Sequence, residues 1–261
     1  MSDYLLLAAT FVFLLSTGYT LFAFGAGRFR PGRTNVVAAI TGFGLLSADL
    51  WQRGQIQRGC PINTLFDVLV FISWSMVLIY LVVGPAYRLS LLGAFTSAFV
   101  LVILLIAQLA PLNRTAAPHP TRDPWVEFHA ALSLIAYGAF ALAALAGLMY
   151  LLQDRELKKR RGGSLLYNLP PVTDLSVANG RLILLGFSLL TVSFAAGLVS
   201  GMPVNTLKFY TSAVIWGVYG LMLAVRRFAH LSPRRFALLS MAVFLFALLA
   251  LPGIQYLSTA K

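Results

Sequence analysis

Eight stretches of this chain are apolar for long enough to cross a bilayer, and that leaves few folds open. They fall at about 4–24, 36–52, 64–84, 90–110, 127–152, 181–201, 209–226 and 236–257. A bilayer core of about 30 Å takes roughly 20 residues of helix. The residues are 59% hydrophobic and only 11% charged, where a soluble domain carries about 25% charged residues. A water-facing fold cannot hide that much apolar surface, so lipid is the solvent. The expected class is all-α, a polytopic transmembrane helical bundle of about eight spans. The second span is the weakest, because Asp49 and Gln52 lie near its end.

The formal charge of +12 raises the question of nucleic acid. The basic residues sit in short clusters between the apolar runs, which is the pattern of topogenic charge. No nucleic-acid partner is expected; the lipid bilayer is. With the N-terminus outside, the inner loops collect Arg28, Arg30, Arg33, Arg88, Arg155, Lys158, Lys159, Arg160, Arg161, Arg226, Arg227, Arg234 and Arg235, with Arg181 at their boundary. The outer side receives Arg53, Arg58, Arg114, Arg122, Lys208 and Lys261. Lysine and arginine collect on the cytoplasmic side of membrane proteins, so both termini are expected outside, in a multi-pass protein of a bacterial inner membrane. Asp3 precedes the first run and the positive charges follow it, which predicts an uncleaved first helix. Pro252-Gly253 is expected to kink or end the last helix.

The stretch from Trp125 to Arg161 carries most of the chemical interest. It opens with an aromatic anchor and His129, runs uncharged from Ala130 to Gln153, and closes in a basic cluster. The basic end belongs inside, which puts His129 near the outer surface. Ionisable residues in a span are functional hypotheses by default, though an interfacial histidine can also bond a carbonyl or a lipid headgroup. Ser133 and Tyr137 follow at intervals of four and share its helix face. Imidazole is an axial haem ligand and needs a partner for its second nitrogen; hydrogen bonding between helices is the competing reading of the stripe.

Other candidates are weaker. His119 lies in the Pro-rich loop 111–124, and His230 sits among arginines; both read as solvated loop histidines. Asp49 and Asp67 are placed to pair with Arg53, Arg58 or Lys208, and Asp67 to support the start of its helix. Cys60 is the only cysteine, so the chain has no thiol pair for redox work. The inner loop 154–180 breaks at Gly162-Gly163, and its Leu165, Leu166, Tyr167 and Leu169 are suited to lie along the membrane surface. No zinc spacing, nucleophile elbow, phosphate loop or pair of catalytic carboxylates is present, so hydrolytic and phosphoryl-transfer chemistry has no support.

Two stretches resemble the integral membrane cytochrome c assembly family, the CcsA/ResC-type haem-handling proteins. The run Pro61-Ile62-Asn63-Thr64-Leu65-Phe66-Asp67-Val68-Leu69-Val70-Phe71-Ile72-Ser73-Trp74 is similar, without a gap, to the family's Pro-Leu-Ser-Asn-Leu-Tyr-Glu-Ser-Leu-Leu-Phe-Leu-Ser-Trp. Trp125, His129, Ser133, Tyr137 and the basic helix end resemble the family segment that holds one outer haem-ligand histidine. The family's tryptophan-rich WWD motif is absent from 204–209, although Lys208 fits the lysine after it and Trp216 fits a later tryptophan. The family's in-membrane histidine falls at Ala224. Its second outer histidine has no counterpart in 257–261. The closest likeness is therefore to the HemX/YpjD-like branch, which also departs from the WWD pattern.

The resemblance divides the chain into two N-terminal transmembrane helices, 1–60, and a cytochrome c assembly-like six-helix membrane domain, 61–261. It implies a haem-handling membrane protein of cytochrome c-type biogenesis that positions haem at the outer face rather than catalysing alone. His129 would ligate the iron, with Lys208 or a nearby arginine on a propionate, and Trp125 and Trp216 at the porphyrin edge. Apocytochrome c or other maturation membrane proteins are the implied partners. The alternative is a regulatory or scaffold protein of the HemX type that no longer ligates haem, with the 154–180 loop as its partner surface.

Overall fold

The computed structural model describes residues 4–26, 33–84, 90–110, 112, 123–158, 171–201, 203, 206–229 and 231–259. His119, His230 and the segment 159–170 lie outside the described residues. Among the described residues eight helices follow one another: α1 (Tyr4–Gly25), α2 (Arg33–Gln57), α3 (Leu65–Val83), α4 (Ser90–Leu109), α5 (Pro124–Lys158), α6 (Val172–Val199), α7 (Leu207–Phe228) and α8 (Pro233–Thr259). Each contains a stretch long and apolar enough to cross a membrane, and no strand occurs among the described residues. The chain is a multi-pass membrane protein.

α5 is the axis of the bundle. It packs on α3 on one side and on α6 and α8 on the other. α2 and α4 pack on α3 and α1 packs on α2 and α4, while α7 lies at the margin against α6 and α8. Small residues make the close approaches. A Cβ at Gly138 would stand 2.8 Å from the Ser75 backbone carbon. There the Ser75 hydroxyl donates across to the Leu134 carbonyl at 3.1 Å. A Cβ at Gly147 would come within 2.8 Å of both Asn179 Nδ2 and Ser240 Oγ. Asn179 uses that nitrogen to bind the Ala143 carbonyl at 2.8 Å and Ser240 Oγ at 2.9 Å. Lipid tails are as apolar as leucine, so helices in a bilayer associate through such packing and hydrogen bonds. The outward faces stay apolar: Leu7, Phe11, Leu14 and Phe22 on α1, and Leu207, Val214 and Leu221 on α7, are exposed.

Several helices run past their apolar cores. α2 is expected to end near 52 but continues to Gln57. Its charges do not stop it, because Arg53 turns back one turn onto Asp49, Nε to Oδ2 at 2.7 Å. α2 then ends with Arg58 in the left-handed region, φ +54, and the Gly59 N–H bonds the Gly54 carbonyl at 3.1 Å. That is a Schellman closure, in which glycine commonly takes the left-handed position; a side chain there costs about 1 kcal/mol. α6 begins at Val172 behind Pro171, so 172–180, expected in the inner loop, is helical. α8 passes through Pro252 to Thr259 and does not end there. A missing proline N–H is tolerated in membrane helices where neighbouring groups take up the freed carbonyl.

Candidate functional site

His129 lies in the second turn of α5 and is half-buried. Its Nδ1 is 2.6 Å from the Ser193 carbonyl oxygen on α6. A carbonyl only accepts, so Nδ1 carries a proton, and in the neutral ring Nε2 keeps its lone pair. Among the described residues Nε2 has no hydrogen-bond partner. The Ser193 hydroxyl donates to the His129 carbonyl at 2.7 Å. With its one proton so used, it accepts from Ser133 Oγ at 2.6 Å and lies 3.1 Å from His129 Nδ1. One serine on α6 thus joins His129 to Ser133 and fixes the ring. Tyr137, one turn further in, is buried.

The other expected site residues are more scattered. Trp125 is half exposed at the start of α5, edge-on to Phe128 at 6.4 Å. Trp216 lies on α7 and bonds Thr191 Oγ1 at 2.9 Å. It stacks on Phe187 at 5.7 Å and Phe194 at 6.1 Å. Those positions form the α7-facing side of α6, whereas Ser193 faces α5, so α6 stands between Trp216 and His129. Lys208 falls in the first turn of α7, and its side chain lies outside the described residues.

A buried polar cluster sits at the same end of the bundle. Arg53, 2% exposed, lies between Asp49 at 2% and Asp67 at 0%. Its Nη1 is 3.8 Å from Asp67 Oδ1, and its guanidinium covers the Phe66 ring at 4.6 Å. Gln57 donates to Asp67 Oδ2 at 3.0 Å and accepts from Asn63 Nδ2 at 2.6 Å. The Asp67 N–H bonds Thr64 Oγ1 at 3.1 Å, the N-cap of α3. Asp67 thus meets Arg53, as expected, and stands in the first turn of α3. The loop that this cluster holds reaches α5. The Cys60 N–H donates to Glu127 Oε1 at 3.3 Å, and Gly59 abuts the same carboxylate, leaving no room for a Cβ. Glu127 stands two residues before His129. Trp74, last in the Pro61–Trp74 run, bonds Ser47 Oγ at 2.8 Å and stacks on Phe43 at 5.5 Å.

Ser193, Gln57 and Glu127 were not singled out in the sequence. A serine in an apolar run has no distinguishing signal, because most such serines bond back within their own helix. Glu127 was visible beside His129, but its partner is a backbone N–H, which a sequence does not display.

The cytochrome c assembly protein family matches residues 62–260. The chain belongs to that family. Protein HemX of Brevibacillus brevis is 31% identical over 173 residues, 64% of each chain. Protein HemX of Bacillus subtilis (strain 168) is 22% identical over 75% of this chain and 72% of its own. Cytochrome c biogenesis protein CcsA of Prochlorococcus marinus (strain MIT 9301) is 26% identical over 82% and 78%. The match to the Brevibacillus protein covers less than two thirds of its length. Within this cytochrome c assembly family member, His129, Ser193, Asp67 and Trp74 all fall inside the matched region.

Proposed function

We propose that this chain handles haem in cytochrome c biogenesis, with His129 as the residue that would ligate the iron. The observation that carries the reading is the bond from His129 Nδ1 to the Ser193 carbonyl, 2.6 Å. Ligating histidines commonly donate their other ring N–H to a carbonyl or carboxylate, which fixes the tautomer and raises the basicity of the ligating nitrogen. Haem, when bound, supplies the iron and porphyrin that an apocytochrome receives. The chain's own residues bind and orient. Ser193 holds the ring, Ser133 supports Ser193, and Glu127 anchors the 59–60 loop beside them. Trp125 is the proposed porphyrin-edge residue, since α6 keeps Trp216 from the His129 side, and Lys208 or a nearby arginine meets a propionate.

With Cys60 as the only thiol, the chemistry on cysteine pairs belongs to a partner, and this chain positions the cofactor. The His129 end faces outward from a bacterial inner membrane, by the charge distribution of the loops. Purification in mild detergent with haem supplied tests the reading. A Soret band is expected, lost in His129→Ala and retained in Ser193→Ala, which keeps the carbonyl. No band, or one that His129→Ala leaves unchanged, overturns ligation.

A second reading is a HemX-type regulatory or scaffold protein without haem. It is favoured by Ala224 on α7, where the family resemblance implies a histidine. It predicts no Soret band and partners that are lost when the 154–180 segment is shortened. Partners unchanged by that truncation count against it.

A further inference from the structure

We propose that a cavity between α2 and α3 binds a phospholipid, with the phosphate on Arg58 and an acyl chain along Leu50, Phe71 and Trp74. The cavity measures about 540 Å³ and lies beside the 58–61 turn. Its walls are largely aromatic and aliphatic. The indole N–H of Trp74 is already bonded to Ser47, which leaves the ring as an apolar wall. Trp51 borders the cavity and is 71% exposed, as tryptophans at a membrane interface are. A cavity opening between two membrane-spanning helices at this level meets an amphiphile, apolar at one end and charged at the other.

Arg58 supplies the charge. It is exposed, it is the only charged residue among the described residues lining the cavity, and it makes no ion pair with any described residue. The neighbouring carboxylates are engaged elsewhere. Asp49 and Asp67 are turned to Arg53, and Glu127 accepts from the Cys60 N–H. The backbone adds an independent observation. Arg58 occupies the left-handed position, φ +54, where glycine would be free of strain, and Gly59 stands one position too late. Backbone strain held at one residue is a pointer to function, and here the strained residue is the cation among the described residues that line the cavity. A guanidinium is suited to bidentate bonding of phosphate oxygens. The cavity is separated from His129 by the contact of Gly59 with Glu127, so lipid binding there does not depend on haem.

Native mass spectrometry of the full chain in mild detergent tests this. The probes are phosphatidylglycerol, a diacylglycerol with the same chains, and inorganic phosphate as competitor. One phosphatidylglycerol is expected to stay bound, about tenfold more tightly than the diacylglycerol. Trp51→Ala is expected to weaken it, and Arg58→Lys to retain part of it. Arg58→Gly removes the cation and relieves the backbone, so it is expected to keep or raise the thermal midpoint while falling to the diacylglycerol level. Wild-type binding in Arg58→Gly, or equal binding of the diacylglycerol, overturns the proposal. Displacement by inorganic phosphate alone reduces the site to an ion contact and also overturns it.

Discussion

Replacing Arg53 by methionine is expected to be among the most damaging single changes outside the α5 axis. Methionine fills much the same volume, so the effect is electrostatic. The change leaves Asp49 and Asp67, 2% and 0% exposed, without their shared cation. Removing one partner of a buried ion pair costs about 3–5 kcal/mol, because the remaining charge stays out of water. Gln57 at 3.0 Å softens this for Asp67 but leaves Asp49 bare of its 2.7 Å contact. Adding Asp49→Leu should recover part of the loss. Adding Asp67→Asn as well should bring stability to within about 1 kcal/mol of the native chain, since neutral replacement of a whole buried ion cluster is often neutral or better. Equilibrium unfolding of the three variants in mixed detergent reads the series. The same cluster holds the loop whose Cys60 N–H meets Glu127, so on the proposed haem-handling function any haem retention should fall in the single variant and return in the triple. A loss below about 1 kcal/mol in Arg53→Met, or a triple variant no better than the single one, would refute the assignment of energy to unpaired charge.

Three further outcomes are expected. Gly138→Leu should force α3 from α5, because a Cβ there meets Ser75 and Met76 backbone atoms at 2.8–2.9 Å. A loss of about 1–3 kcal/mol is read by the same unfolding assay. Ser193→Ala removes the hydroxyl bonds to Ser133 and the His129 carbonyl. It should cost about 1 kcal/mol, at about 0.6 per interhelical bond, while histidine NMR still shows the Nδ1–H tautomer. Arg58→Val should lower stability by about 1 kcal/mol, since a β-branched residue is poorly placed at φ +54; Arg58→Gly should not.

The spans were legible because their signal is solvent chemistry repeated over some twenty residues. Their ends were less so, for identifiable reasons. Asp49 looked like the approach to water, yet Arg53 one turn on neutralises it and α2 continues. The segment 172–180 looked like loop because it carries Asp174, Asn179 and Gly180, yet Asn179 is buried against Ala143 and Ser240. Gly180 is the position against which Arg226 of α7 lies. Pro252 looked like a kink or a stop; the helix does not stop there but runs on to Thr259. At 172–180 a tertiary partner outweighed the local signal; at Asp49 a partner one turn along the same helix did so.

Composition and periodicity by themselves determined the solvent, the eight helices and the placing of His129, Ser133 and Tyr137 on one face. Those are local properties of each segment. The Pro61–Trp74 run and the His129 stretch also carried enough similarity to indicate the family. Tertiary structure alone decided that Ser193, sixty-four residues away, fixes the His129 ring. It also decided that Arg53 serves two carboxylates and that Trp216 packs on the far side of α6. Hydrophobic patterning states which side chains avoid water. It does not state which helix will face which, because between apolar helices in lipid that choice rests on a few glycines and single hydrogen bonds, such as those at Gly138, Gly147 and Ser193.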